Sequence, residues 1–456
     1  MAQIFFGRFV HSVSLKELEI CEHGGIGVDE RGKIVFVERN VKDVQVLLEK
    51  PGWENAKVVR IFANSFMFPG FIDTHIHASQ YPNAGIFGSS TLLDWLNTYT
   101  FPLESKFQEL DVARTVYNRV VSRTLANGTT TASYYATIHV PSTNLLADIC
   151  LARGQRAFVG RVCMDQNAPD YYRDETVDEV ISATRQCIDH IKKIDPEHQL
   201  VTPIITPRFA PSCTRQCLDR LGELHKETNL PVQTHISENK GEIQFVKELF
   251  PDSTSYADVY EKSGLLTEKM ILAHAVHLTE DEKALIKKRD AKISHCPASN
   301  TALTSGTAKV RQLVDAGITV SLGTDVSGGF SASILESARQ AIWVSRFVAM
   351  EGGDDNKLSV AEVLYLATRG GAKTVGLEDQ IGGFEVGKDW DVQMINLGEV
   401  DEGSEGIKDY TSPVDIFGWE SQDNVVAKWL YSGDDRNVVA VWVKGKLVHT
   451  TSRYSL

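Results

Sequence analysis

The chain has 456 residues, 42% of them hydrophobic and 23% charged, a composition that excludes the disordered and fibrous classes and exceeds one ordinary core. Its 47 Lys and Arg against 60 Asp and Glu leave a formal net charge of -13, which argues against gripping a nucleic-acid backbone or an anionic membrane. Seven cysteines without a Cys-x-x-Cys pair suggest neither a disulfide frame nor a thiolate zinc site, so buried free thiols are expected.

The opening residues lack the charged leader and long apolar run of a signal peptide, and no stretch is apolar enough to span a bilayer. A cytoplasmic protein is expected. The closing Arg453-Tyr454-Ser455-Leu456 is not a Ser-Lys-Leu peroxisomal address. Before about Pro69, short β-branched and aromatic runs (Ile4 to Phe6, Ile34 to Val37, Val58 to Phe62) alternate with turns such as Asp29-Glu30-Arg31-Gly32. The tail has the same texture, with strands expected at Val392 to Ile395, Val426 to Tyr431 and Val438 to Val443. Residues 1–68 and 379–456 are therefore expected to meet in one small β-sandwich domain built from both ends.

Between them, over residues 69–378, apolar runs alternate with helical patterns. Eight strands are predicted: Phe71 to His77, Thr129 to Ala136, Ala157 to Met164, Val201 to Arg208, Val232 to Ser237, Met270 to His277, Ala291 to Cys296 and Ile318 to Thr324. Helices are expected among them at Asp111 to Ala126, Asp178 to Ile194, Thr214 to Thr228 and Glu280 to Lys288. This is the pattern of an α/β protein, a (β/α)8 TIM barrel whose active groups sit at the C-terminal strand ends.

Those ends carry the chemistry. His75 and His77 stand two apart on the first strand, so both imidazoles face one side. His235 closes the fifth strand, His274 the sixth and His295 the seventh, and Asp325 follows the eighth. In a closed barrel these residues become neighbours. Three imidazoles and a carboxylate, with a position left for water, suit one catalytic Zn²⁺, with Fe²⁺ the alternative. The assigned ligands are His75, His77, His235 and Asp325; Glu238, three residues past His235, is placed to move protons between water and substrate. His274 is read as a partner of the reacting water or a substrate atom, His277 as structural, and His295 as either pocket wall or core.

Other motifs fail. Gly382 to Lys388 has the spacing of a phosphate loop, but Asp389 stands where Ser or Thr is needed and a β-rich tail follows. Neither a Gly-x-Ser-x-Gly elbow nor the Pro-Cys-x-x-Cys element of thiolate-zinc deaminases is present.

The ordered set His75-Ile76-His77, His235, His274 and Asp325, with the tail segment Phe384 to Asp391, resembles the amidohydrolase superfamily over nearly the whole chain. A narrower resemblance, to the guanine deaminases, lies in Asp73 to Tyr81, Trp95 to Pro102, Thr206 to Phe209, His235 to Asn239 and Gly323 to Gly329. Ala275-Val276-His277 departs from it and resembles the wider group of amino-purine and triazine hydrolases. Two-metal members of the superfamily carry a bridging lysine on the fourth strand, and Val201 to Phe209 contains none, so one Zn²⁺ per subunit is expected. The resemblance implies hydrolysis of guanine to xanthine and ammonia, with Glu238, Asp325 and His274 as catalytic residues. It also implies a pocket formed by Gln80, Trp95, Arg208, Phe209, His77 and His235, and a homodimer. The alternatives are a deaminase or chlorohydrolase of another amino-heterocycle, or a barrel that has lost catalysis and serves as a scaffold.

Overall fold

The structure, a computed structural model, describes residues 1–62, 64–89, 91–399 and 412–451. Among these, no helix is long and apolar enough to cross a membrane. The terminal tetrapeptide read above lies outside the described residues.

All but one of the predicted strands of the two ends join one eight-stranded sheet. Across it run Lys446–Thr450, Val438–Val443, Val392–Asn396, Ser65–Pro69, Gln3–Ser14, Glu17–Val28 and Ile34–Arg39, with Lys57–Arg60 paired alongside Gln3–Ser14. The junction to the rest of the fold lies at its centre. Ser65–Pro69 pairs antiparallel with Val392–Asn396, then passes through Gly70 directly into Phe71–His77. A Cβ on Gly70 would sit 2.1 Å from the Thr130 hydroxyl, so only glycine lets the two layers come this close.

One predicted tail strand is a helix. Gln422–Ser432 starts at Ser421, whose side chain accepts from Asn424 N, and buries Val425, Val426, Trp429 and Leu430. That spacing is one face of a helix rather than the alternate positions of a strand. Trp429 packs against Phe66, Phe68 and Phe71 at ring-centroid distances of 5.3, 5.0 and 6.0 Å, which ties the tail to the root of the first barrel strand.

The barrel consists of two parallel arcs. Phe71–His77, Thr129–Tyr135, Arg156–Gly160 and Val201–Pro203 form one; Val232–Ile236, Met270–His274, Lys292–His295 and Val320–Leu322 form the other. A parallel bridge between Ile205 and Val232 joins them on one side. On the other, Asp325 N donates to His75 O at 2.8 Å and His77 N to Val326 O at 3.1 Å. The third and fourth strands resume as the short pieces Val162–Cys163 and Thr206–Pro207, which pair with each other. Most helices read from the sequence begin where their caps stand. Thr176 accepts from Glu179 N, Thr214 from Cys217 N and Thr279 from Glu282 N, each worth about 0.5–2 kcal/mol. All seven cysteines are buried and free.

Candidate active site

The strand ends converge as the alternation of side chains requires. His75, His235, His274 and Asp325 each offer a ligand atom, and these atoms lie within 4.8 Å of one another. His77 stands beside this group, its Nε2 3.2 Å from His235 Nε2 and 3.5 Å from Asp325 Oδ1. His75 Nε2 is 3.2 Å from the same oxygen. Distance alone therefore groups His274 with the ligands where the sequence assignment has His77. All are buried.

The backbone turns sharply where these residues emerge. Ser237, His274, Ala275 and Asp325 have φ of 48°, 73°, 51° and 47°, a left-handed conformation that costs a non-glycine residue about 1–3 kcal/mol. This turn ends the sixth strand at His274, short of the predicted His277. Asp73 braces the first and eighth strands, accepting from Thr324 N at 3.0 Å, from the Thr324 hydroxyl and from His75 N at 3.3 Å. The fit leaves no slack, for a Cβ on Gly323 would meet His75 Cβ at 2.8 Å. Past the fifth strand, Glu242 accepts from Glu238 N at 2.9 Å and Asn239 N at 3.1 Å, so the capping box of helix Lys240–Leu249 also holds the backbone of Glu238.

Charge divides the four imidazoles. Burial, reinforced by the neighbouring imidazoles, drives the pKa of His77 and His235 well below the ordinary histidine value. Burial also lowers His75, against the pull of Asp325. His274 goes the other way: burial lowers its pKa, but the Glu238 and Asp325 carboxylates outweigh burial and raise it. Asp325 is disfavoured as a charge by burial, yet the surrounding imidazoles hold it well below the usual carboxylate range. Burial pushes Glu238 up to about 7, against the opposing effect of His274.

Two tautomers are set by oxygen acceptors. His235 Nδ1 lies 2.5 Å from Arg208 O and His274 Nδ1 lies 2.9 Å from Asn300 Oδ1, so each ring donates there and turns Nε2 inward. Nε2 of His75 and of His274 has no hydrogen-bond partner among the described residues. Unpartnered imidazole nitrogens facing a buried carboxylate form an arrangement that a divalent cation completes. The cluster is capable of coordinating a metal ion.

Beside it opens a cleft lined by His77, Gln80, Arg208, Phe209, Glu238 and Asp325 and closed on its apolar side by Leu92, Trp95, Leu96 and Leu303. Trp95 is pinned by its indole N-H to Ile86 O at 3.2 Å. Phe209 meets His235 edge-on at 6.3 Å. His277 bonds Ser305 O at 2.7 Å, away from the cleft lining, while the Ser305 hydroxyl donates to Glu238 Oε1 at 3.0 Å. His295 is buried outside the cleft lining, both ring nitrogens without a partner among the described residues, and burial takes it down to about 3. The sequence reading missed Glu104, Tyr172, Asn300 and Ser305. Glu104 stands two residues past the Trp95 to Pro102 motif, a carboxylate closing the apolar Phe101-Pro102-Leu103, and that contrast was the available signal.

The amidohydrolase family model matches residues 66–448. The chain belongs to the amidohydrolase family, among the guanine deaminases. It is 49% identical over 448 residues to a probable guanine deaminase of Schizosaccharomyces pombe, covering 98% of this chain and 83% of that one. It is 43% identical over 453 residues to the guanine deaminase of Dictyostelium discoideum, with 98% of both covered. The crystal structure of guanine deaminase from C. acetobutylicum, with guanine bound in its active site, superposes with a TM-score of 0.87 at 35% identity, covering 98% of this chain and 100% of that one.

Proposed function

We infer that this chain hydrolyses guanine to xanthine and ammonia. The observation that carries this is a cation-ready imidazole and carboxylate cluster opening into a cleft with one apolar wall, in a chain similar to guanine deaminases along 98% of its length. The ligands assigned are His75, His77, His235 and Asp325: the Nε2 atoms of His75 and His77, two apart on the first strand, lie 3.2 and 3.5 Å from Asp325 Oδ1, and His77 Nε2 lies 3.2 Å from His235 Nε2. A divalent cation held there, Zn²⁺ or Fe²⁺, supplies water of lowered pKa at neutral pH.

The remaining chemistry belongs to side chains. Asp325, kept ionised, accepts a proton from the attacking water. Glu238, near 7, exists in both protonation states at neutrality and delivers its proton to the guanine ring nitrogen beside C2 as the new C2-O bond forms. His274, whose Nε2 is 3.5 Å from Glu238 Oε2 and 3.7 Å from Asp325 Oδ2, steadies the tetrahedral centre between the two carboxylates. Asp325 then passes the proton taken from water to the 2-amino group while Glu238 takes the remaining proton of the new C2 hydroxyl, so the C2-N bond breaks, C2=O forms and ammonia leaves with both carboxyl groups restored. Arg208 and Gln80 donate to O6 and N7, Phe209 packs on the ring, His77 and His235 border it, and Trp95 closes the apolar side.

The proposal extends to a cytoplasmic homodimer with one metal per subunit and no nucleic-acid partner. Trp343, Phe347 and Met350 lie three and four positions apart on helix Ile334–Gly352 and are 47%, 55% and 78% exposed, an apolar stripe of the kind a second copy covers. Ammonia and xanthine measured from guanine, with metal content on the same preparation, test the activity. Metal-loaded protein that releases no ammonia overturns it, and sedimentation as a monomer overturns the dimer.

A further inference from the structure

Behind the purine wall lies a carboxylate that the reaction itself does not use. Glu104 ends the short helix Phe101–Glu104 and is 0% exposed. Four donors converge on it. Arg208 reaches it twice, Nη1 to Oε2 at 2.7 Å and Nη2 to Oε1 at 3.2 Å. Gln80 Nε2 donates to Oε1 at 2.8 Å and the Tyr172 hydroxyl to Oε2 at 2.7 Å. Phe101, from the same helix, lies under the Arg208 guanidinium at 5.2 Å.

A side-chain amide is nearly symmetric in shape, so only its partners decide which end faces where. An ionised carboxylate only accepts, which obliges Gln80 to turn its nitrogen toward Glu104. On the other side Ser327 N donates to Gln80 Oε1 at 3.3 Å, which requires the oxygen there. The two constraints agree. The hydrogens left over on Gln80 Nε2 and on the Arg208 fork are those available to the cleft both residues line.

We propose that Glu104 is a positioning residue that fixes the hydrogen-bond polarity of the purine pocket, holding Gln80 and Arg208 as donors so that a 6-oxopurine is accepted and a 6-aminopurine refused. A carbonyl at C6 meets donors. An amino group there meets donors with a donor, leaving buried groups unpaired, which such sites reject strongly. The assignment rests on the guanine reading above.

The test is steady-state kinetics on metal-loaded wild type, Glu104→Gln and Tyr172→Phe, with guanine as substrate and hypoxanthine and adenine as competitive inhibitors. In Glu104→Gln, KM for guanine rises by about tenfold or more, the worth of a hydrogen bond to a charged group, while kcat changes by less. The wild-type preference for hypoxanthine over adenine narrows by a similar factor, and metal content is unchanged. Tyr172→Phe, which removes one of the two donors on Glu104 Oε2, moves both readouts the same way by less, and decides the question if Glu104→Gln does not fold. An unchanged hypoxanthine-to-adenine ratio overturns the assignment, as does equal weakening of both inhibitors. Wild type that releases no ammonia from guanine, with the ratio still collapsing in Glu104→Gln, overturns the substrate reading and leaves the positioning role standing.

Discussion

The two halves of the active-site mouth solve opposite problems. On the metal side, imidazoles face one another and a buried carboxylate with nitrogens that have no hydrogen-bond partner among the described residues, an arrangement that a divalent cation completes. On the purine side, Arg208, Gln80 and Tyr172 fill the Glu104 carboxylate without any ligand. One half is completed from outside and the other is finished in advance. The metal half therefore responds to metal supply, and the purine half keeps its shape regardless.

The largest blow to this division is Asp325→Ala. It is expected to abolish both metal retention and ammonia release, because it removes the carboxylate that the imidazoles surround; metal bound at wild-type stoichiometry would break the distinction. Next comes Glu238→Gln, expected to keep the metal while turnover falls by about 10²–10⁴, the usual worth of a positioned proton-transfer group. Near-normal turnover would remove Glu238 from the proton path. Asn300→Ala frees the outward nitrogen of His274 and is expected to lower metal affinity or turnover by about 10–100-fold. Chelation of the metal should lower Tm and restoring Zn²⁺ should recover it, whereas adding a purine to metal-free protein should leave its near-ultraviolet circular dichroism almost unchanged. The smallest effect sharpens the contrast from outside: Thr279→Ala removes a cap on a distant helix and should cost about 0.5–2 kcal/mol in denaturant unfolding with kcat/KM intact.

The metal half was far more legible in the sequence than the purine half. His75 and His77 sit two apart on a strand, and His235, His274 and Asp325 each stand at a strand end, so periodicity plus barrel closure brings them together. Glu104, Tyr172 and Asn300 come from segments outside the barrel strands, and nothing in their local spacing marks the residue each one meets. The choice between His77 and His274 as ligand was likewise beyond periodicity, because both stand at strand ends near the same carboxylate. In the fold, the strand predicted at Val426 to Tyr431 failed because a short apolar run suits either a strand or a buried helix. Ser421 and the spacing of Val425, Val426, Trp429 and Leu430 settle it as a helix.

The strand that bears His75 and His77 grows out of Ser65–Pro69, whose neighbour in the sheet is Val392–Asn396. Gln393 Nε2 donates to Pro69 O across 324 positions of sequence. During synthesis the first two histidines leave the ribosome early, but the strand feeding them stays unpaired on that side until most of the chain has followed. Contacts of such long range close slowly. His235, His274 and Asp325 lie far along the chain from His75 and His77, so a nascent chain holds no complete metal site with which to sequester Zn²⁺ until the eighth barrel strand has been made.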